Sequence, residues 1–236
     1  MARQLISAIL AAAIAVPAQA GVVYSNNFDA ENGGNTALNY NGFNGLTVSN
    51  GTVDLVKSGD FGIVCAGSSG ACVDLDGSTS DSGLVSSNSY SFNAGDVVAL
   101  SLLFSGNQRG APPDEFSITF NFGAPVSGDY GLMSSFAGNL NFGTFTNQTS
   151  LTVTISNIMS DFAMTDLDFY FDPTTSGSTT FALQDAGNDN IGVIIDNLAL
   201  SVGGPVPEPA TWMMMLAGFG LIGFAVRREK MRTALA

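Results

Sequence analysis

The feature that most constrains the fold is an alternation of apolar and polar side chains with a period of two residues. The apolar members of four such segments are Val98, Leu100, Leu102 and Phe104; Phe116, Ile118, Phe120 and Phe122; Leu151, Val153 and Ile155; and Leu167, Phe169 and Phe171. This period places the apolar residues on one face of a β-strand and the polar residues on the other. No stretch between Gly21 and Gly204 has the period of an amphipathic helix, so the chain is predicted to be all-β.

Clusters of Gly, Asn, Asp and Ser separate the predicted strands, as at Asn32-Gly33-Gly34 and Ser176-Gly177. These residue types favour turns because they tolerate left-handed backbone or hydrogen-bond to it. Many short strands with regular turns are typical of two antiparallel sheets packed face to face. We therefore expect residues 21–203 to form one domain, a two-sheet antiparallel sandwich of the jelly-roll type.

The first 20 residues have the layout of a secretory signal peptide. Arg3 precedes an apolar run from Leu5 to Val16, and the small-residue triplet Ala18-Gln19-Ala20 follows. The run is too short for a comfortable membrane span, and the triplet is typical of a signal peptidase cleavage site. Signal peptidase is therefore an expected partner, with cleavage after Ala20.

A second apolar segment, residues 210–226, contains no charged side chain. A helix of this length rises about 25 Å, just enough to span a bilayer. The segment is therefore predicted to be a transmembrane helix. Arg227 and Arg228 follow at once, so the positive-inside rule places the basic tail, 227–236, in the cytoplasm. Residues 204–209, before the helix, form an extended linker because prolines disfavour helix.

This tail, with Pro207-Glu208-Pro209, an apolar helix and the pair Arg227 and Arg228, resembles the PEP-CTERM sorting signal of Gram-negative bacteria. The resemblance implies export through the inner membrane, a transient anchor, and processing by exosortase in connection with exopolysaccharide. It places the mature chain at the cell surface or outside the cell. Glu229 stands where a third basic residue is usual. The alternative is an ordinary single-pass anchor.

The body between the two signals is strongly acidic. It contains 18 acidic residues but only Lys57 and Arg109 as cations. Such a surface repels phosphate backbones, so a nucleic-acid partner is not expected. The composition is compatible with solubility alone, with calcium, or with neutral glycans.

Cys65 and Cys72 are the only cysteines of the chain. Export to an oxidising compartment and a short flexible insert between them predict a disulfide. A zinc site is the weaker interpretation because the chain has no histidine and two thiols do not complete one.

Two segments of the body resemble carbohydrate-binding and galactose-binding-like jelly rolls: Asn26 to Gly33 near the start and Val193 to Leu200 at the end. In such folds the first and last strands pair, and a structural calcium often bridges them. The resemblance implies Asp29 or Glu31 as a ligand.

The expected burial of Asp196 is a separate argument for a calcium site at the same place. In an unbulged strand its side chain would share a face with Ile194, Leu198 and Leu200. A buried carboxylate needs a partner, which would be calcium, held by Asp196 with Asp29 or Glu31, or backbone amides. Both interpretations stay open here.

No constellation of catalytic residues stands out. Asp166 and Asp168 share a strand face at about the spacing of paired glycosidase carboxylates, and Asp114-Glu115 begins a strand. No histidine is present for a Ser-His-Asp or Cys-His arrangement. We therefore expect a protein that is not an enzyme.

Three functions remain. The first is a non-catalytic surface or matrix protein, structural or glycan-binding and associated with exopolysaccharide; the others are a polysaccharide hydrolase or lyase and an adhesion or self-assembling matrix subunit. The only tryptophan, Trp212, lies in the sorting tail. A sugar platform must therefore use a phenylalanine or one of the tyrosines: Tyr24, Tyr40, Tyr90, Tyr130 or Tyr170.

Overall fold

The computed structural model describes residues 20–110, 112–134, 140–187 and 189–204. The predicted signal peptide up to residue 19 lies outside the described residues. So do the Pro-Glu-Pro motif, the predicted transmembrane helix and the predicted basic tail, from residue 205 onward. Within the part described, no helix has both the length and the apolar character needed to cross a membrane.

The described residues form twelve strands and three short 3-10 turns, as the period-two pattern predicts. The strands are β1 (Gly21–Asn26), β2 (Leu46–Ser49), β3 (Asp54–Lys57), β4 (Ala71–Asp74), β5 (Leu84–Ser87), β6 (Tyr90–Phe92), β7 (Val97–Ser105), β8 (Asp114–Ser134), β9 (Leu140–Ile158), β10 (Thr165–Pro173), β11 (Gly177–Asp185) and β12 (Ile194–Gly203). The turns are Glu31–Gly34, Asp60–Gly62 and Ala66–Ser68. The all-β prediction is confirmed for these residues.

The strands join into one antiparallel sheet rather than two separate ones. Its order is β2-β5-β11-β8-β10-β7-β12-β4-β3, with β1 on β12, β6 on β11 and β9 on β8. The long strand β8 makes the sheet continuous, because its first part pairs with β11 and its last part with β10. We call β11 and the strands beyond it, β2, β5 and β6, the β11 half. We call β10 and the strands beyond it, β1, β3, β4, β7 and β12, the β10 half.

The sheet curls so that its two halves face each other across a phenylalanine-rich core. The ring of Phe120 on β8 lies 5.1 Å from that of Phe169 on β10. Tyr24 on β1 lies 5.9 Å from Phe181 on β11. All four predicted apolar rows are buried in this core.

The change of partner along β8 coincides with a break in its ladder with β9. The register shifts between Asn121 and Gly128, a segment that contains Pro125. Proline has no amide donor, so within a strand it is found at edges and bulges. Sequence periodicity predicted the strand before this break but not its continuation from Gly128 to Ser134.

The Cys65–Cys72 disulfide is present, as predicted. Both cysteines are buried in a second, smaller cluster with Val56, Ile63 and Ile194. Val56 pairs with Cys72 in the β3–β4 ladder. The bridge therefore fastens the 58–70 loop over a small apolar patch, apart from the main core.

The last strand carries a bulge that changes the orientation of Asp196. The register with β7 shifts between Asp196 and Ala199, and Asn197 has a φ of 50°. As a result Ile195 and Leu198 both join the main core, while Ile194 belongs to the second cluster. The expectation that Asp196 shares a face with Leu198 and Leu200 is therefore wrong, because it assumed an unbulged strand.

Candidate functional site

The outer face of the β10 half combines exposed aromatic, apolar and acidic side chains. On β10, Asp168, Tyr170 and Asp172 are partly exposed and alternate with buried core residues. Cross-strand pairing places small side chains beside them on the neighbouring strands. We call this surface the Tyr170 face; it consists of Ala99, Ser101, Asp129, Gly131, Met133, Phe142, Asp168, Tyr170, Asp172, Ala199 and Ser201.

The ring of Tyr170 lies over Gly131 of β8. A methyl group added at Gly131 would come within 2.5 Å of the ring's Cζ and hydroxyl oxygen. The absence of a side chain at Gly131 therefore lets the ring lie across the neighbouring strand. On the far side of Gly131, its partner Phe142 is 57% exposed. The backbones of Tyr170 and Phe142 are about 10 Å apart across two strand spacings, and the Tyr170 ring lies over the strand between them.

Carboxylates stand before and after Tyr170 along β10. Asp168 accepts a hydrogen bond from the Ser101 hydroxyl and pairs across the sheet with Met133, which is 45% exposed. Asp172 lies directly opposite Asp129. Burial, with a smaller contribution from the Asp129 charge, raises the pKa of Asp172.

The sequence offers four acidic residues as candidate catalytic carboxylates. Two of them, Asp166 and Asp168, lie on the outer face of β10. Asp166 is exposed. Asp114 and Glu115 do begin β8, as predicted, but they lie apart from this face, and Glu115 accepts a 2.6 Å hydrogen bond from Ser156. Sequence analysis missed Asp129 and Asp172, because only cross-strand register brings them together.

Asp114 belongs to a buried acidic cluster where β4, β8 and β11 meet the 186–193 loop. Its other members are Asp74, Asp76 and Asp185. Backbone amides of the loop bind them: Asp189 donates to Asp76 at 3.0 Å, Gly192 to Asp74 at 2.9 Å and Val193 to Asp185 at 3.1 Å. Arg109 forms an ion pair with Asp74. The cluster therefore holds the loop to the end of the sheet.

The predicted calcium residues are bound by hydrogen-bond donors. Asp196 accepts the amide of Ala66 at 3.0 Å and that of Asn197 at 2.7 Å. Asp29 accepts the amide of Ala71 at 3.0 Å. Glu31 accepts the amide of Asn44 at 2.9 Å and the Asn26 side chain at 2.7 Å.

The Asp196–Ala66 contact joins the last strand to the 58–70 loop, and the Asp29–Ala71 contact joins the segment after β1 to the first residue of β4. Among the described residues, no three Asp, Glu, Cys or His side chains form a group with metal-binding geometry. The two amide donors to Asp196 agree with the amide-bonded interpretation. Calcium at Asp29, Glu31 and Asp196 stays a prediction from the sequence.

Comparison with known proteins identifies the tail of the chain. Residues 205–229 match the PEP-CTERM protein-sorting motif. The motif includes Pro207, Glu208, Pro209, Arg227 and Arg228, and it implies export and exosortase processing. A search of curated proteins found no match.

Comparison with solved structures concerns the body. The xylan-binding domain CBM22-1 of Paenibacillus barcinonensis Xyn10C is 12% identical, with a TM-score of 0.41 over 79% of this chain and 97% of that chain. Another xylan-binding domain of family CBM22 is 16% identical, with the same TM-score and coverage. An arabinose-bound GH51 α-L-arabinofuranosidase is 11% identical, with a TM-score of 0.40 over 67% of this chain and 23% of that chain.

The acidic cluster predicts an unusual dependence of stability on pH. Burial above all, followed by the charges of neighbouring carboxylates, raises the pKa of Asp114 to about 7, although a hydrogen bond from Asn107 opposes the shift. The folded state therefore binds this proton more tightly than the unfolded state. Stability from Asp114 is fully present below about pH 4 and is lost as the pH rises through about 7.

Denaturant unfolding between pH 4.5 and pH 8, measured on wild type and Asp114→Asn, tests this dependence. We expect the variant to lose less free energy of unfolding over this range than wild type, by on the order of 2 kcal/mol. Asp161→Asn removes an exposed carboxylate and should leave the pH profile unchanged. Parallel profiles for wild type and Asp114→Asn would contradict the assignment.

Thermal unfolding decides between calcium and amides at Asp196. Calcium at a hundred times its dissociation constant would stabilise the folded chain by about 2.7 kcal/mol. The amide contacts instead lead us to expect the same melting temperature with calcium and with chelator, in protein stripped of metal beforehand. A calcium-dependent rise that Asp196→Asn abolishes would establish the metal site.

Proposed function

We propose that this chain is an exported, non-catalytic surface or extracellular-matrix protein that binds neutral glycan through the Tyr170 face. The sorting motif supports the location. The observation that carries the binding proposal is the ring of Tyr170 lying over Gly131, between two carboxylates and next to exposed Phe142.

The chemistry of this face is suited to a sugar. The electron-rich face of an aromatic ring attracts the polarised C–H groups on one side of a pyranose. Asp168 and Asp172, on either side of Tyr170, supply acceptors for sugar hydroxyls. The body has 18 acidic residues and two basic ones, so a neutral polysaccharide is favoured over an anionic one.

A polysaccharide hydrolase or lyase is the second candidate, favoured by one observation. Asp129 and Asp172 are directly opposite, and the raised pKa of Asp172 is the kind of shift expected of an acid in a carboxylate pair. Product release from the host's exopolysaccharide that Asp172→Asn abolishes would favour this second function. Binding without turnover supports the first.

Both terminal segments are proposed to direct export and to be removed before the mature protein reaches its destination. Signal peptidase removes residues 1–20, the 210–226 segment holds the chain transiently in the inner membrane of a Gram-negative host, and exosortase acts near Pro207-Glu208-Pro209. The mature chain is then associated with exopolysaccharide at the cell surface or outside the cell.

Intact-mass analysis of protein released from the host tests this processing. We expect a form that begins at Gly21 and lacks Trp212 to Arg228. Glu208→Ala should retain the full tail in the membrane fraction, because it alters the recognition motif, whereas Glu229→Ala should be processed normally. Released protein that still carries the Trp212 to Arg228 peptide would contradict exosortase cleavage.

Affinity electrophoresis of the exported protein in gels containing neutral polysaccharide tests glycan binding. We expect Tyr170→Ala to weaken retardation at least tenfold, because losing a stacked ring costs about 1.4 kcal/mol or more. Gly131→Ala should weaken it too, since the added methyl displaces the ring.

Phe61→Ala provides the matched control, because Phe61 is an exposed aromatic in the 58–70 loop, off the Tyr170 face. The retardation of the Phe61→Ala variant in these gels should equal that of wild type. Loss of retardation in Phe61→Ala but not in Tyr170→Ala would place the binding surface elsewhere.

A further inference from the structure

The strand β9 is a long sheet edge. It comprises Leu140–Ile158 and pairs with β8, and no second described strand pairs with it. The other described strands that pair with a single strand are shorter: β1 has six residues, β2 and β3 have four each, and β6 has three. Natural sheets protect their edges with short strands, charges, proline or β-bulges, because free amides and carbonyls accept a further strand.

The sequence of β9, from Leu140 to Ile158, has neither a charged residue nor a proline. Its pairing with β8 is regular over two segments, Leu140 to Phe145 and Ser150 to Ile155, with register shifts between them. Most of its exposed positions are Thr, Asn, Gln or Ser. The body otherwise carries 18 acidic residues, so two copies of this chain repel each other over most of their surfaces. The β9 edge is a neutral strip where two such acidic copies can approach.

The side chains of β9 already form cross-strand contacts of the required kind. The hydroxyls of Thr119 and Thr152 lie 2.9 Å apart across the β8–β9 ladder. Threonine pairs of this sort add to the main-chain bonds between neighbouring strands. Exposed Thr144, Thr146 and Thr154 offer the same hydroxyls along the strand.

We propose that a second copy of this chain pairs with the first through β9, edge to edge and antiparallel. A two-fold axis makes such a contact self-complementary and closed, so it produces a dimer. The two-fold axis of an antiparallel strand pair is perpendicular to the sheet. The Tyr170 faces of both copies therefore lie on the same side of the joined sheet. The pairing does not depend on glycan binding.

Cysteine cross-linking in the exported protein tests this arrangement. Single variants Thr144→Cys, Thr146→Cys, Thr152→Cys and Thr154→Cys sample the exposed side of β9, and Ser89→Cys, in the β5–β6 turn, is the control. Two-fold antiparallel pairing predicts disulfide-linked dimers with a yield that peaks at one position and falls on either side. The control should stay at background. Background yields at all four β9 positions, or cross-links to a different protein, would overturn the proposal.

A charge substitution tests the same surface without cysteine. Thr152→Glu/Thr154→Glu places two carboxylates on β9 and should weaken self-association at least tenfold in sedimentation equilibrium of the exported protein. Ser89→Glu adds charge away from β9 and should associate like wild type. Circular-dichroism melting confirms that each variant is folded. Equal association of the folded double variant and wild type would also overturn the proposal.

Discussion

The continuous β8–β9 hairpin is the element on which the rest of the structure depends. Because β8 pairs with β11 along its first part and with β10 along its last, it carries the sheet from one half to the other. The ladder breaks at the segment containing Pro125, where one strand can change partners. The two halves then face each other, and rings such as Phe120 and Phe169 fill the space between them.

A second constraint is the near absence of cations in the body. With only Lys57 and Arg109 available, most buried carboxylates must be stabilised by something other than an ion pair. Backbone amides do so at Asp76, Asp185 and Asp196. These contacts fasten loops to strand ends, so the acidic residues organise the connections that the hydrophobic core does not reach.

The outer face of the β10 half shows how one strand serves both core and surface. Phe169 and Phe171 point into the core, and Tyr170 between them points outward over Gly131. The packing that stabilises the fold therefore also fixes the position of the ring proposed to bind glycan. The β9 strand borders this same surface, so self-association would set two such faces side by side.

The sequence alone predicted much of this architecture. Period-two alternation identified the buried rows, and cysteine usage together with the export signals predicted the Cys65–Cys72 bridge. The tail motif was recognisable from Pro207-Glu208-Pro209 and the residues after it. These features are local: each depends on residues close together along the chain.

Only the tertiary structure decided which distant residues meet. The bulge at Asn197 changed the face of Asp196, and strand register placed Tyr170 over Gly131 and Asp172 opposite Asp129. Alternation specifies which side chains point inward, but it does not specify which strands become neighbours or in what register. Those choices follow from packing the whole core, and they assembled the candidate site.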